Sequence, residues 1–291
     1  MIAKETFDHL VKQHPCFNRE AHFKYGRIHL PVSPSCNIQC RFCKRGFNKW
    51  EDRPGVSRLL LNPGEAVAKV ASALAICPQI RVVGIAGPGD TLATDHALEA
   101  FAAVHQRYPA LINCLSTNGL LLEEKAERIT AAGVKTVTVT VNAVDAGILQ
   151  MICSHVRYHE QLLCGEHAAR LLISAQIAGI RKIVRLGAMV KVNTVLIPGV
   201  NDHHIGHIAS VASKLGVSMF NIIPLIPQHE FARLHPPDCD ELAKARQAAE
   251  EYLPVFRHCR HCRADACGIP GSGKDLGGNL YEQDGETFSH G

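Results

Sequence analysis

Three cysteines fall within eight residues in the run Cys36-Asn37-Ile38-Gln39-Cys40-Arg41-Phe42-Cys43. Cysteine thiolates are the usual ligands of iron–sulfur clusters, and three of them leave one iron of a cubane open to an outside ligand. That vacancy is where chemistry would take place. A tetrahedral zinc site completed by a distant His or Cys is the competing use of the same thiols. A second pair, Cys259 and Cys262, has the C-x2-C spacing that serves redox, zinc and iron–sulfur sites alike.

The elements that must position these residues are written in the alternation of short β-branched segments with amphipathic ones, the signature of βαβ units and a parallel sheet. Candidate strands are Arg27 to Val32, Ile80 to Ile85, Leu111 to Leu115, Lys135 to Val141, Met189 to Ile197 and Val217 to Ile223. Helical patterns lie near Pro63 to Ala75, Thr94 to Gln106, Leu122 to Ala132, Gly165 to Ile180 and Asp202 to Leu215. Pro63 suits a helix first turn, Gly133 and Gly216 suit helix C-termini, and Asn201-Asp202 can cap the helix that follows. The fold class is therefore α/β, a partial (β/α)6 barrel of TIM type. Residues 25–235 are expected to form the barrel, 1–24 an N-terminal extension, and 236–291 a C-terminal helix with a Cys-rich tail. The Gly-rich stretch from Gly271 to Gly291 reads as loosely ordered.

In such a barrel the loops after the strands form the active site. The first cysteine cluster follows the first strand and is expected to lie on one such loop. Gly87-Pro88-Gly89-Asp90 follows the second strand, where a backbone without side chains can approach a ligand. Ser116-Thr117-Asn118-Gly119 after the third strand and Asn142 after the fourth add short polar groups at the same edge. Gly-Pro-Gly and Asn-Gly are also ordinary turn signals, so their common placement is the argument, not either motif alone.

Of 291 residues, 46% are hydrophobic and 20% charged, enough to bury a large core. The 31 Lys and Arg are scattered and the net charge is only +4, which gives nucleic-acid binding no support. No apolar run is long enough to span a membrane, and the first residues do not resemble an export signal. A cytoplasmic location is expected, where 12 cysteines are better read as ligands or redox groups than as disulfides.

The C-x3-C-x2-C spacing, with Phe42 before the last Cys, resembles the radical S-adenosylmethionine (SAM) superfamily signature. Collinear motifs extend the likeness to the NifB family of nitrogenase iron–molybdenum cofactor biosynthesis proteins. They include His14-Pro15-Cys16, Arg53-Pro54-Gly55-Val56, Ser116-Thr117-Asn118-Gly119-Leu120, Val192-Asn193-Thr194 and His258-Cys259-Arg260-His261-Cys262. The resemblance implies a [4Fe-4S] cluster on Cys36, Cys40 and Cys43 whose open iron binds SAM, and two further [4Fe-4S] clusters as substrates. Those would be fused with a SAM-derived carbide and an added sulfur into an eight-iron precursor. It implies further ligands at Cys16, His29, Cys114, Cys259 and Cys262, with His22 as another candidate. SAM contacts are expected from Phe42, Gly87, Gly89, Asp90, Thr117, Asn118, Thr140, Asn142 and Val195. Implied partners are nitrogenase assembly and cofactor-carrier proteins, an iron–sulfur donor and a reductant.

One departure stands out. The family carries another cysteine before Arg-Pro-Gly, whereas Lys44 to Arg53 contains none and Asn48 and Lys49 occupy that neighbourhood. Protonated Lys is a poor substitute for thiolate. Cys267 is the candidate to compensate, while Cys77, Cys153, Cys164 and Cys239 read as structural. Two other readings stay open: a related radical SAM enzyme with a different substrate, and an iron–sulfur carrier without SAM turnover. Glu51, Asp90 and Asn142 are polar groups expected near the reaction face without assigned roles.

Overall fold

Strand periodicity sorts side chains to two faces, and here it separates an apolar face from a polar one. The structure, a computed structural model, describes residues 10–259, 261–281 and 288–290. In chain order the strands are β1 (Gly26–His29), β2 (Ile38–Cys40), β3 (Arg45–Phe47), β4 (Val56–Ser57), β5 (Ile80–Ile85), β6 (Ile112–Thr117), β7 (Val134–Thr140), β8 (Cys153–Tyr158), β9 (Gln161–Cys164), β10 (Met189–Leu196), β11 (Met219–Pro224), β12 (Cys267–Gly268) and β13 (Phe288–His290). The main sheet has the order β11-β10-β7-β6-β5-β1-β12. Every pair from β1 to β11 is parallel, and β12 joins β1 antiparallel. Helices Ala66–Ile76, His96–Arg107, Leu122–Ala131, Gly165–Arg185 and Ile205–Lys214 cover the outer face, and the sheet curls into a half-barrel.

Ile28, Val83, Ile85, Leu115, Val137, Val139, Val190, Val192, Phe220 and Ile222 pack with those helices in one continuous core. Their strand neighbours point the other way. Arg27, His29, Gly84, Cys114, Thr136, Thr138, Lys191 and Asn221 therefore line the inside of the curl, where small barrels of this type usually carry aliphatic side chains. Arg27, Thr136, Thr138, Lys191 and Asn221 are all buried.

The chain itself covers this polar face. Val255 bridges to Phe220 of β11, Phe256 donates its N–H to Phe220 O at 2.8 Å, and the segment then runs to β12 on the opposite edge strand. His29 N–H donates to Ala266 O at 2.8 Å, completing the crossing. Cys259 and Cys262 lie on the span between the two anchors.

Local causes of the boundaries mostly agree with the sequence reading. Asn62 and Glu65 form a capping box around Pro63, and Gly133 and Gly216 take positive φ of 73° and 82° after their helices. The first strand stops at His29 because Pro31 has no N–H to continue the ladder. Three expectations are corrected. Asn201 does not cap through its side chain; it is fully buried and ties β7 to β10, its Nδ2 donating to Asn142 O and Val195 O at 2.9 Å and its Oδ1 accepting from Ile197 N at 2.8 Å. The Gly-rich tail is packed as far as Tyr281, which is fully buried and donates from its hydroxyl to His29 O at 2.6 Å; residues 282–287 and 291 lie outside the described residues. Cys164 and Cys239 are exposed at helix N-termini and contribute nothing to the core. Among the described residues no helix is long and apolar enough to cross a membrane.

Asn201→Ala would strand three buried backbone groups at once. At ~1–3 kcal/mol for a buried polar group left without its partner, the loss should reach at least about 3 kcal/mol. Urea unfolding measures it, and a loss below about 1 kcal/mol would contradict this role.

Candidate active site

The three clustered thiols follow β1 as expected, but not on a plain loop. Cys40 belongs to β2, which pairs antiparallel with β8 in the register Cys40↔Cys153 and Ile38↔Val156. That small sheet, completed by β9, anchors the cysteine segment. Gln39 Nε2 donates to Cys40 O at 3.0 Å and Cys43 O at 2.9 Å, closing the turn between the second and third thiols. Burial, then the Asp90 carboxylate, pushes the Cys36 thiol up to about 12. Burial also raises Cys40, well above the ordinary thiol value, and Cys43. Ligation must therefore displace a proton from each. Among the described residues no three His, Cys, Asp or Glu side chains are gathered tightly enough for a single metal ion.

The Gly-Pro-Gly-Asp segment meets protein where a ligand contact was expected. Gly89 N–H donates to Ser33 O at 2.8 Å and Asp90 N–H to Ser35 O at 2.9 Å, directly before Cys36. A Cβ on Gly89 would lie 2.1 Å from Ser35 O, so the absent side chain is what lets these two loops touch. Asp90 is buried, and its carboxylate accepts from Thr117 Oγ1 at 3.0 Å, Asn118 N at 2.6 Å and Leu92 N at 2.9 Å. Burial raises its pKa while those hydrogen bonds oppose the rise. Asn118 Nδ2 in turn donates to Asn37 Oδ1 at 2.7 Å and lies 3.8 Å from Cys36 Sγ. Asp90 is thus a brace between the β5 and β6 loops and, through Asn118, for the first thiol. Asn142 Oδ1 accepts from Val195 N at 2.9 Å, and Thr140 O accepts from Gln176 Nε2 at 3.0 Å. These polar atoms hold strand ends in place. Gly87 lies against Ala264 of the covering segment, its built Cβ 3.3 Å away, and Phe42 packs with the satellite core around β8.

A second group of thiols gathers under the covering segment. His29, Gly84 and Cys114 stand in register on three adjacent strands, and the central residue has no side chain. His29 lies across the gap: a Cβ on Gly84 would meet its Cδ2 at 2.8 Å. Its Nδ1–H donates to Arg263 O at 3.0 Å, which leaves the Nε2 lone pair available as a ligand. Burial, with Arg27 next, lowers the His29 pKa to about 4, so the ring is neutral at pH 7. Cys16, Cys114, Cys259 and Cys262 feel one another's charge across this space; Cys16, Cys114 and Cys262 are half-buried and Cys259 is exposed at its rim, and burial raises Cys114 to about 11. Two cations oppose the rise. Arg27 Nη2 donates to Cys262 Sγ at 3.2 Å, and buried Lys191 donates to Cys16 O at 3.2 Å. Lys191 also lies 4.9 Å and 5.7 Å from the Phe17 and Phe256 ring centres. His22 is buried one layer out, Nδ1 against Pro15 O at 3.0 Å and its ring 6.0 Å from Phe256.

Gly84, Lys191, Arg27 and His14 were missed as site residues. A glycine inside a strand pattern was the available signal for the first, since it marks a close approach. A Lys at an inward position of a central strand was the signal for Lys191. Cys153, read as structural, sits beside Cys40 and raises its pKa further.

Cys267 does not compensate for the missing family cysteine. It is fully buried in the main core, paired with Ile28 of β1, and its electrostatic neighbours are Cys77, Arg27 and Asp275. The cysteine-free loop is instead shaped by polar contacts. Asn48 Oδ1 accepts from Trp50 N at 3.1 Å and Glu51 N at 2.8 Å, and Arg263 Nη2 donates to Asn48 O at 2.6 Å. Glu51 pairs with Arg53 at 3.0 Å, and Lys49 lies over the exposed Trp50 ring at 5.2 Å.

A curled parallel sheet with three thiols after its first strand defines the radical SAM class, and the Radical SAM superfamily model matches residues 30–212. Family membership implies one [4Fe-4S] cluster and S-adenosylmethionine as cofactors. A radical SAM methyltransferase from Sphaerobacter thermophilus shares the fold, with TM-score 0.59 at 19% identity over 79% of this chain and 64% of that one. FeMo cofactor biosynthesis protein NifB of Methanocaldococcus jannaschii is 46% identical over 265 residues, 90% of this chain and 88% of its own. NifB of Methanocaldococcus infernus is 46% identical over 271 residues, covering 92% and 89%. The chain belongs to the NifB family of radical SAM proteins.

Two outcomes are expected. Gly89→Ala forces the loop before Cys36 to move, so iron bound after anaerobic reconstitution should fall clearly below the parent; full iron loading would show that this tie is dispensable. In the metal-free chain, the unfolded state takes up the His29 proton near the ordinary imidazole value of 6.5, but the folded state resists until about 4. Stability from this group is present above 6.5 and lost as pH falls through 4. Urea midpoints measured from pH 7 to pH 4 should decline, and His29→Phe should make that slope shallower.

Proposed function

We propose that this chain acts in FeMo cofactor biosynthesis, joining two [4Fe-4S] clusters, as substrates, with a SAM-derived carbide and an added sulfur into an eight-iron precursor. The observation that supports this reading is the second thiol group: half-buried Cys16, Cys114 and Cys262 and exposed Cys259, from separate segments, feel one another's charge beside His29.

Cys36, Cys40 and Cys43 would hold the SAM cluster, which supplies one electron for reductive cleavage of SAM. The chain's own part is positional. Asp90 and Asn118 keep the Cys36 loop against the β5 and β6 loops, while Gly87, Gly89, Thr117, Thr140, Asn142 and Val195 frame the edge where SAM would lie, with Phe42 at the third thiol. Lys191 and Arg27 would offset the negative charge of thiolate-bound clusters. His29 Nε2 and the four thiols would hold the substrate clusters, with His22 behind them. Methyl transfer, a lyase-type assignment and exchange with an iron–sulfur donor, a reductant and cofactor-carrier proteins belong to the same proposal.

The loop from Lys44 to Arg53 favours a second reading. Asn48 is engaged in its own turn and Lys49 lies over Trp50, so neither takes the place of the family cysteine. A radical SAM enzyme with fewer cluster ligands and a different substrate fits that loop.

Anaerobic reconstitution with dithionite and SAM separates the readings. The cluster-fusing enzyme should bind about twelve irons per chain, three cubanes, and release 5′-deoxyadenosine. Its product should activate cofactor-free nitrogenase. About four irons with SAM turnover would support the altered enzyme, and iron without turnover a carrier.

A further inference from the structure

Buried imidazoles near the second thiol group are held in opposite tautomers. His29 donates from Nδ1 to Arg263 O and His22 places Nδ1 against Pro15 O, each leaving the lone pair on Nε2. His14 is the reverse. It is 1% exposed, and its Nδ1 accepts from the backbone N–H of Cys16 at 3.1 Å. The lone pair is therefore on Nδ1, and the proton of the neutral ring is on Nε2.

Phe17 fixes the ring plane edge-on, with centroids 4.6 Å apart and an interplanar angle of 66°. Yet Nε2 is buried with no hydrogen-bond partner among the described residues. Ten buried side-chain polar atoms among the described residues share this condition, and a buried N–H without a partner calls for an explanation from what surrounds it. Its surroundings, with His29 and Lys191 close and Cys16 two residues on, are those of the thiol chamber.

We propose that His14 Nε2–H is a hydrogen-bond donor to a sulfide or cysteine sulfur of the iron–sulfur cluster held through Cys16, acting as a positioning residue and not as a ligand. The proposal rests on the reading above that this chamber holds a cluster. Donation to sulfur favours the more negative, reduced state, so it raises the cluster potential. It also distinguishes the histidines by role: His29 presents a lone pair to iron, and His14 presents a proton to sulfur.

The test uses the full chain with Cys36→Ala, Cys40→Ala and Cys43→Ala combined, so that reconstitution with iron and sulfide reports the chamber alone. Iron content and the midpoint potential of the cluster EPR signal are measured for this parent, for His14→Phe, which keeps a ring against Phe17 but removes the donor, and for His14→Gln, which restores an N–H. Equal iron is expected in all three, with a more negative potential in His14→Phe and recovery toward the parent in His14→Gln. Iron lost in His14→Phe and regained in His14→Gln would also support a donor. An unchanged potential at full iron, or iron lost in both variants, would overturn the proposal. A triple-alanine parent that binds no iron would instead overturn the chamber reading, and this proposal with it.

Discussion

A parallel sheet that turns cations, thiols and amides inward stays folded only if those groups find partners, because a buried polar atom left alone costs what a hydrogen bond would have returned. That constraint shapes the rest of the molecule. The chain brings its own cover from both ends: Phe17 and Cys16 on one side, the span from Val255 to Cys267 on the other. Arg27 is met by Gly268 O and Cys262, Lys191 by Cys16 O and two aromatic faces, His29 by Arg263 O. Among the described residues ten buried side-chain polar atoms are without a partner, and three of them, His14 Nε2, Arg27 Nε and Asn221 Oδ1, belong to this wall or its cover.

Electrostatics follows the same division. Burial raises the thiols of Cys36, Cys40 and Cys43 in the first group and of Cys16 and Cys114 in the second. Lys191 and Arg27 lower that barrier for the chamber, while the first group sees Asp90 on one side and Arg45 on the other. The two thiol sets therefore differ in local charge although they share one half-barrel. The brace through Asp90 and Asn118 separates their mechanical support as well: one set hangs on the β5 and β6 loops, while the other joins His29 and Cys114 of β1 and β6 to Cys16 and to Cys259 and Cys262 of the covering segment.

Much of this was legible in the sequence because it rests on local periodicity. The parallel strands and their helices follow from β-branched runs and amphipathic stretches, and the three clustered cysteines announce their chemistry by spacing. What escaped is what depends on register. Gly84 is informative only once it is seen between His29 and Cys114, and Lys191 only once its face is known. The β8–β9 hairpin was hidden because Cys153 to Cys164 is short and polar, with no partner in sight until β2 pairs with it. Gly89, Asp90 and Asn142 were correctly located at the sheet edge, yet their contacts are with Ser35, with Thr117 and Asn118, and with Val195. A polar motif at a strand end does not reveal whether it faces a ligand or a neighbouring loop. Cys267 was misread for the same reason, since distance along the chain says nothing of which side of β1 it packs on.

The most direct test of a two-site half-barrel is iron anomalous scattering from crystals of the anaerobically reconstituted chain. Two separate regions of iron density are expected, one at Cys36, Cys40 and Cys43 and one on the inner wall among Cys16, His29, Cys114, Cys259 and Cys262. Density confined to the first three cysteines, at full occupancy and with the covering segment in place, would contradict the account.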